Sequence, residues 1–474
     1  MSSELINATA CAHVARLRQG KISPHDLLDA LEARIGEVEG EINALPTLCF
    51  DRARRQADRL LRKPPAERGL LAGLPIPIKD LSDVAGVRST HGSPIFADFV
   101  PDASDIVVET IEAQGGVVYA KSNTPEFGAG GNTFNEVFGP TLNPYDTTRS
   151  AAGSSGGAAA ALASGTAWLA HGSDMGGSLR NPASFCGVIG MRPSVGRCAN
   201  DAKTRIDQTL GVQGPMARTV EDLALFLDAM CGFHPRAPLS LPVETPSFLQ
   251  QARSDWKPRR VAYSADLGIT PVDPEVARVT RAAAMRLAQE GVIVEEAHPD
   301  FSEAHECFQI LRAENFAIGM GALLKAHPQL FKPEVVWNIE KGWALTPSDV
   351  ARANHQRVAL FQRAAKFFET YDLLLTPATI TAAFPVGERY LTECAGQRFE
   401  TYIDWLAIAY AITLVFSPAL SLPCGFTRLG LPVGLQIAGP PRAEGKVLAG
   451  AKLLEGLLDL PTAKPVDPRM PKAA

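Results

Sequence analysis

Apolar positions along the chain switch between two periods. Ser23-Pro24 reads as a cap and first helical turn, with Leu27, Leu28, Leu31 and Ile35 following at helical spacing. The first 65 residues read as helices, the last of them a charged amphipathic run from Phe50 to Arg62. Leu74 to Asp80 then reads as extended chain, because a residue before proline avoids the helical region. Ser104 is expected to cap a helix that stops at Gly115-Gly116, and Val117 to Lys121 to follow as a short strand. Arg260–Ser264, Val292–Glu296 and Asp372–Thr376 read as strands, and Pro274–Glu290, Pro347–Thr370 and Ala443–Leu458 as helices. Such alternation predicts an α/β sheet covered on both faces. There is no internal repeat. The chain divides into an N-terminal helical segment (1–65), a main domain (66–460) and a tail (461–474).

Two stretches break the pattern. Trp405 to Thr427 carries no charge and is long enough to span a bilayer. Pro418 and Pro423 interrupt it, so it reads better as a buried helix running into a buried strand. Ser150 to Ser173 is made mostly of Gly, Ala and Ser, a composition that elsewhere means a linker. Ala158 to Ala163 is strong helix-forming material and apolar Trp168-Leu169 follows, so tight backbone packing in a core is the better reading. Gly-Ser-Ser-Gly-Gly just ahead of that helix leaves backbone N–H groups free.

Composition narrows the function. Of the 474 residues, 46 are basic and 51 acidic, for a net charge of -5, without the basic excess of a nucleic-acid binder. The 8 cysteines show neither disulfide-framework nor zinc spacing. They read as free thiols of a reducing compartment. With no apolar signal segment after the N-terminus, a cytoplasmic protein is expected.

Most hydrolase and nucleotide signatures fail on context. Gly153-Ser154-Ser155-Gly156-Gly157 satisfies G-x-S-x-G, but a polar stretch stands where a nucleophile elbow needs a strand. Ser254-Asp255-Trp256-Lys257 satisfies S-x-x-K without its companions. There is no phosphate loop and no paired histidine motif, so no metal or cofactor is expected. What remains is Lys79 in an apolar extended segment, the double serine Ser154-Ser155, and Gly172-Ser173-Asp174-Met175-Gly176-Gly177-Ser178-Leu179-Arg180.

These elements together resemble the amidase signature family. Its central signature, G-[ST]-D-x-[GA]-G-S-[ILV]-R-x-P-A, runs here from Gly172 to Ala183, and Gly73 to Asp80 matches its lysine element. Gly214 to Asp222, Thr376-Pro377, Pro423 to Gly425 and Gly430 to Gln436 also resemble family stretches, so the likeness covers roughly residues 5 to 455. It implies a single α/β/α domain around a large mixed twisted sheet. It also implies a catalytic triad of Ser178 as nucleophile, Ser154 as bridge behind a cis peptide bond, and Lys79 as base. The substrate would be a small-molecule amide, and a homodimer is expected from the family alone.

The chemistry agrees on its own terms. A serine needs a base, and holding a free lysine neutral at pH 7 costs about 4.6 kcal/mol. Burial among Leu74, Ile76, Ile78 and Leu81 lowers that cost. Gly176-Gly177 lets the N–H groups of Met175, Gly176, Gly177 and Ser178 face one point as an oxyanion hole. Asp174 and Arg180 are expected as a supporting ion pair, Ser155 as a helix cap or an aid in orienting Lys79, and Gln213 as a pocket-lining residue. The far wall is expected from residues 300 to 345, including Phe308, Phe316, Met320 and Trp337.

Three departures bear on the substrate. Ala152 stands where the family most often has glycine. Met175 replaces the commoner threonine and turns the wall toward apolar acyl groups. Asn181 follows Arg180, so no second arginine stands there for a malonamate-type carboxylate. The expected activity is hydrolysis of small apolar or aryl amides through a seryl acyl-enzyme, with esters or carbamates inside the same chemistry. The alternative is a glutamyl-tRNA amidotransferase A-type subunit releasing ammonia from glutamine. Arg192-Pro193-Ser194-Val195-Gly196-Arg197 differs from that subunit's K-P-T-Y-G-R and argues against it.

Overall fold

Ser23 accepts a bond from the Asp26 N–H while Asp26 accepts one from the Ser23 N–H, and this box starts the longest N-terminal helix. The computed structural model describes residues 2 to 470 apart from Ala202. Helices α1 (Ser2–Asn7), α2 (Ala10–Arg18), α3 (Pro24–Ile42) and α4 (Phe50–Leu61) come first, with the short strand β1 (Thr47–Leu48) before α4. Leu27, Leu28, Leu31 and Ile42 are fully buried in a cluster that continues to Leu454, so these helices share the main core.

Strand β2 (Pro75–Lys79), helix α5 (Ile106–Ala113) and strand β3 (Val117–Ser122) follow. The three strands form a small sheet in the order β1-β3-β2, with β2 parallel to β3. Ser104 does not cap α5. Asp105 holds the cap position, and Ser104 Oγ instead accepts the Ala85 N–H at 2.9 Å.

Next come α6 (Gly156–Ser164), β4 (Leu169–Asp174), α7 (Arg180–Cys186), β5 (Ile189–Arg192), β6 (Val212–Ala217) and α8 (Val220–Met230). The chain continues through β7 (Arg260–Tyr263), α9 (Pro274–Met285), β8 (Ile293–Glu296), α10 (Ala304–Ala326), α11 (Pro333–Trp343), α12 (Pro347–Phe367) and β9 (Leu373–Pro377). It ends with α13 (Ala407–Leu414), β10 (Ala419–Phe426), β11 (Pro432–Ala438) and α14 (Glu444–Leu458). The helix expected to reach Glu290 tightens into a 3-10 turn from Arg286.

The large sheet has eight strands in the order β8-β7-β9-β11-β10-β5-β6-β4. β7 is parallel to both neighbours and the other pairings are antiparallel. Helices cover it, and a second core around Phe308, Trp405 and Tyr410 lies outside the first. The uncharged stretch from Trp405 resolves into α13 and β10, both largely buried, and among the described residues no helix is long and apolar enough to cross a membrane.

α6 holds the small-residue stretch at the centre, with every residue from Gly156 to Ser164 buried. Added Cβ atoms on Gly156 and Gly157 would stand 2.3 Å from Thr133 Oγ1 and from the Asn123 nitrogen, so side chains are excluded there. The segment expected as a tail is tied down through residue 469: the Val466 N–H donates to Ala163 O, and the Arg469 N–H to Pro144 O. Residues 471–474 lie outside the described residues.

Candidate active site

Lys79 closes β2 and is fully buried. Its sequence neighbour Asp80 does not pair with it. Asp80 lies 2.9 Å from Lys121 Nζ and also accepts from Thr90. Lys79 is therefore left among hydroxyls: Nζ lies 2.8 Å from Ser154 Oγ, 2.8 Å from Ser155 Oγ and 3.2 Å from Ser173 Oγ. Burial lowers its pKa to about 7, against a weaker upward pull from the Asp174 carboxylate.

The peptide bond between Gly153 and Ser154 is cis. Gly153 has no room for a side chain, since a Cβ would approach Gly130 O to 2.6 Å. Ala152 takes the left-handed conformation at φ 56° that glycine would adopt freely. Thr133 Oγ1 donates to Ala152 O at 2.8 Å, and the Ala152 N–H donates to Ser150 Oγ at 2.9 Å, so the turn is held despite the departure. Ser155 stands at the start of α6 without capping it. Its hydroxyl contacts Lys79 and, at 3.3 Å, Ser173 O, and Thr133 Oγ1 accepts the Gly156 N–H in its place.

The turn between β4 and α7 is organised around Asp174. Its carboxylate accepts the N–H groups of Gly177 (3.0 Å) and Leu179 (3.1 Å), and Arg180 Nε and Nη2. Burial alone would raise the Asp174 pKa, but Arg180 and Arg192 hold it well below the usual carboxylate range. Arg180 also reaches Ala409 O, Gln436 Oε1 and Thr413 Oγ1, which fixes the turn to α13 and β11. The Ser155 N–H donates to Ser178 O at 3.2 Å, bringing the second serine element against the first, and Ser178 is half-buried. Of the four N–H groups expected to form the oxyanion hole, that of Gly177 is committed to Asp174. Those of Met175, Gly176 and Ser178 have no acceptor among the described residues.

His171 lies outside every residue that sequence reasoning singles out. It sits on β4, and its Nδ1 accepts the Lys79 N–H at 3.3 Å. The side chain thus links the small sheet, at Lys79, to the large mixed sheet, which carries β4. His171 Nε2 lies 2.9 Å from Gln213 Oε1, and Gln213 Nε2 donates to Asn200 Oδ1 at 2.9 Å. Burial lowers the His171 pKa to about 3, so the ring is neutral, donating through Nε2 and accepting at Nδ1. Gln213 borders a cavity of about 220 Å³ that also meets Leu81, Asn200 and Gln208, but its own amide is engaged by protein partners. Ser173, inside the signature, likewise has no role legible in the sequence; only its place on β4, two residues from His171, puts it at Lys79.

The expected far wall divides. Phe308 is fully buried, stacked on Tyr410 at 4.2 Å, and its Cζ would touch a Cβ on Gly176 at 3.2 Å. Phe316 and Met320 join Phe331, Phe127 and Met175 in an apolar cluster beside the turn. Trp337 packs edge-on against Tyr402.

Comparison with known proteins follows the same lines. The Amidase family profile matches residues 26–448. An acylamidase of Rhodococcus erythropolis is 34% identical over 470 residues, covering 98% of this chain and 97% of that protein. The A-type subunit of the glutamyl-tRNA(Gln) amidotransferase of Moorella thermoacetica is 34% identical over 478 residues, with 95% and 97% covered. Among solved structures, a bacterial aryl acylamidase of the amidase signature family superposes with a TM-score of 0.90 at 26% identity, covering 96% of this chain and 97% of its own. A 6-aminohexanoate cyclic dimer hydrolase complexed with substrate gives 0.86 at 27%, covering 97% and 98%. The chain belongs to the amidase signature family and is a hydrolase acting on amide bonds.

Proposed function

We propose that the chain hydrolyses small apolar or aryl amides through an acyl-enzyme on Ser178, with Lys79 as base and Ser154 as proton relay. The observation that carries this reading is a fully buried lysine without a carboxylate partner among the described residues, 2.8 Å from Ser154 Oγ. Ser178 Oγ attacks the amide carbon as its proton passes to Ser154 Oγ, and the Ser154 proton passes to neutral Lys79. The oxygen of the tetrahedral intermediate meets the N–H groups of Met175, Gly176 and Ser178. Lys79 returns the proton through Ser154 to the departing nitrogen. Water then enters, loses a proton along the same path and frees the acid. Apolar Met175, Phe127, Phe316 and Phe331 beside the turn support an apolar or aryl acyl group, as does the likeness to an acylamidase and to an aryl acylamidase.

The test is a hydrolysis panel of primary amides, anilides, aryl carbamates, p-nitrophenyl esters and glutamine, run on wild type and Ser178→Ala. Expected is amine release by wild type alone, with an acyl adduct at Ser178 by intact mass. The likeness to amidotransferase A-type subunits supports a second reading, in which glutamine is the substrate and a partner protein takes the ammonia. Turnover of glutamine alone would move the assignment there.

A further inference from the structure

Five arginines of the described chain are buried: Arg180, Arg192, Arg197, Arg218 and Arg312. Arg180, Arg192 and Arg197 face carboxylates, and Arg192 and Arg218 donate to backbone carbonyls. Arg312, on α10 and 7% exposed, has neither among the described residues. Its Nε has no partner, Nη1 meets only the Met175 thioether at 3.4 Å, and Nη2 donates to Tyr402 OH at 2.8 Å. Phe316 lies under the guanidinium at 4.4 Å. Tyr402 OH accepts a second bond from Asn338 Nδ2, and its own proton has no acceptor among the described residues. A guanidinium stays charged at any working pH, and removing it from water without an anion is costly. Its fork matches a carboxylate. Met175, which it touches, opens the turn that carries Ser178.

We propose that Arg312, with the Tyr402 hydroxyl, anchors a carboxylate on the substrate, so that the preferred amides carry an anion separated from the scissile bond by an apolar spacer. The arginine missing at Asn181 is thus replaced from another element, farther along the wall. The proposal rests on the amidase reading of Ser178 and names the substrate class within it.

The experiment compares two pairs of amides on wild type, Arg312→Met and Arg312→Lys. In one pair the acyl side carries the carboxylate (glutaranilic acid against valeranilide). In the other the amine side does (hippurate against N-ethylbenzamide). Expected is a wild-type preference in kcat/KM of about tenfold or more for the charged member of one pair, which also tells the side. Arg312→Met should lower that ratio on the order of 100-fold, mainly through KM, with Arg312→Lys between. A ratio near one in wild type for both pairs, or a ratio retained in Arg312→Met, overturns the proposal. A separate reading needs no turnover: calorimetric binding of glutarate and hippurate to Ser178→Ala, with and without Arg312→Met. Binding of either that is lost with Arg312 supports the anchor even if no amide is cleaved and the amidase reading fails; absence of binding to Ser178→Ala overturns the anchor. Arg312→Met should melt no lower than wild type, because an unpaired buried charge is removed; a lower melting temperature with an unchanged ratio marks a structural arginine and overturns the proposal.

Discussion

The hydroxyls around Lys79 constrain where its lone pair points. Ser155 gives its proton to Ser173 O, so toward Lys79 it accepts. A neutral amine has two N–H groups, which suit Ser155 and Ser173, and the lone pair is left for the Ser154 proton. With a Lys79 pKa near 7, the protonated and inactive form dominates below that value. For an amide that does not itself ionise, kcat/KM should therefore rise about tenfold per pH unit below about 7 and level off about one unit above it. His171 is already neutral throughout this range, so His171→Gln should keep the midpoint of that limb even where the plateau falls. A midpoint that vanishes in His171→Gln would assign the titration to the imidazole instead. Lys79 is legible in the sequence because an apolar extended segment predicts a buried strand, and the lysine that closes it is buried with it. His171 is not: it acts on Lys79 across the gap between two sheets, and no local pattern encodes which strands lie side by side.

At the scale of the element, the β4–turn–α7 unit behaves as a single bonded object. One carboxylate holds two backbone N–H groups and one guanidinium, and a second guanidinium binds the Asp174 carbonyl at 2.7 Å. Asp174→Asn leaves Arg180 and Arg192 buried without their counter-charge. It should cost about 3 kcal/mol or more in chemical denaturation, and more in kcat than in KM because the turn presents the nucleophile. A variant with wild-type stability and kcat would remove Asp174 from this supporting role. The motif points to these residues, but it does not reveal that the Gly177 N–H is spent on Asp174. Elements with strong local signals fold almost as the sequence predicts, such as α3 with its Ser23–Asp26 box and α12 with Thr346 and Asp349. Ser104 misleads because a serine before a helical run also serves as an acceptor for a distant loop, here at Ala85.

For the whole molecule, both ends of the chain converge on α6. Arg218 donates to Ile6 O and Ala8 O near the start, to Leu162 O in the last turn of α6 and Ala167 O just beyond it, and to Ala463 O near the finish. Val466 adds its N–H to Ala163 O. Ending the chain after Leu460 should remove about 2–4 kcal/mol of stability, at roughly 1 kcal/mol for each buried bond lost, and lower the melting temperature by several degrees. An unchanged melt would make residues 461–474 dispensable. Strand order is the part of the fold that sequence leaves unread. β4, β5 and β6 are near in sequence and adjacent in the sheet, but β10 and β11 enter between β5 and β9 from far along the chain. Such pairings depend on long-range packing and have no signature in either participating strand.

The composition of α6 has an effect on how the protein can vary. Ala158, Ala159, Ala160 and Ala161 are wholly enclosed, and Gly156 and Gly157 touch neighbouring atoms where a methyl would go. Most core helices tolerate trimming or swaps of similar volume. Here little but Leu162 is left to trim, and nearly every replacement from Gly156 to Ala161 adds bulk beside the backbone that positions Ser154 and Ser155. Diversification of this enzyme is thereby pushed outward, to Met175, α10 and α11, where side chains are large enough to be exchanged and where substrates would be told apart.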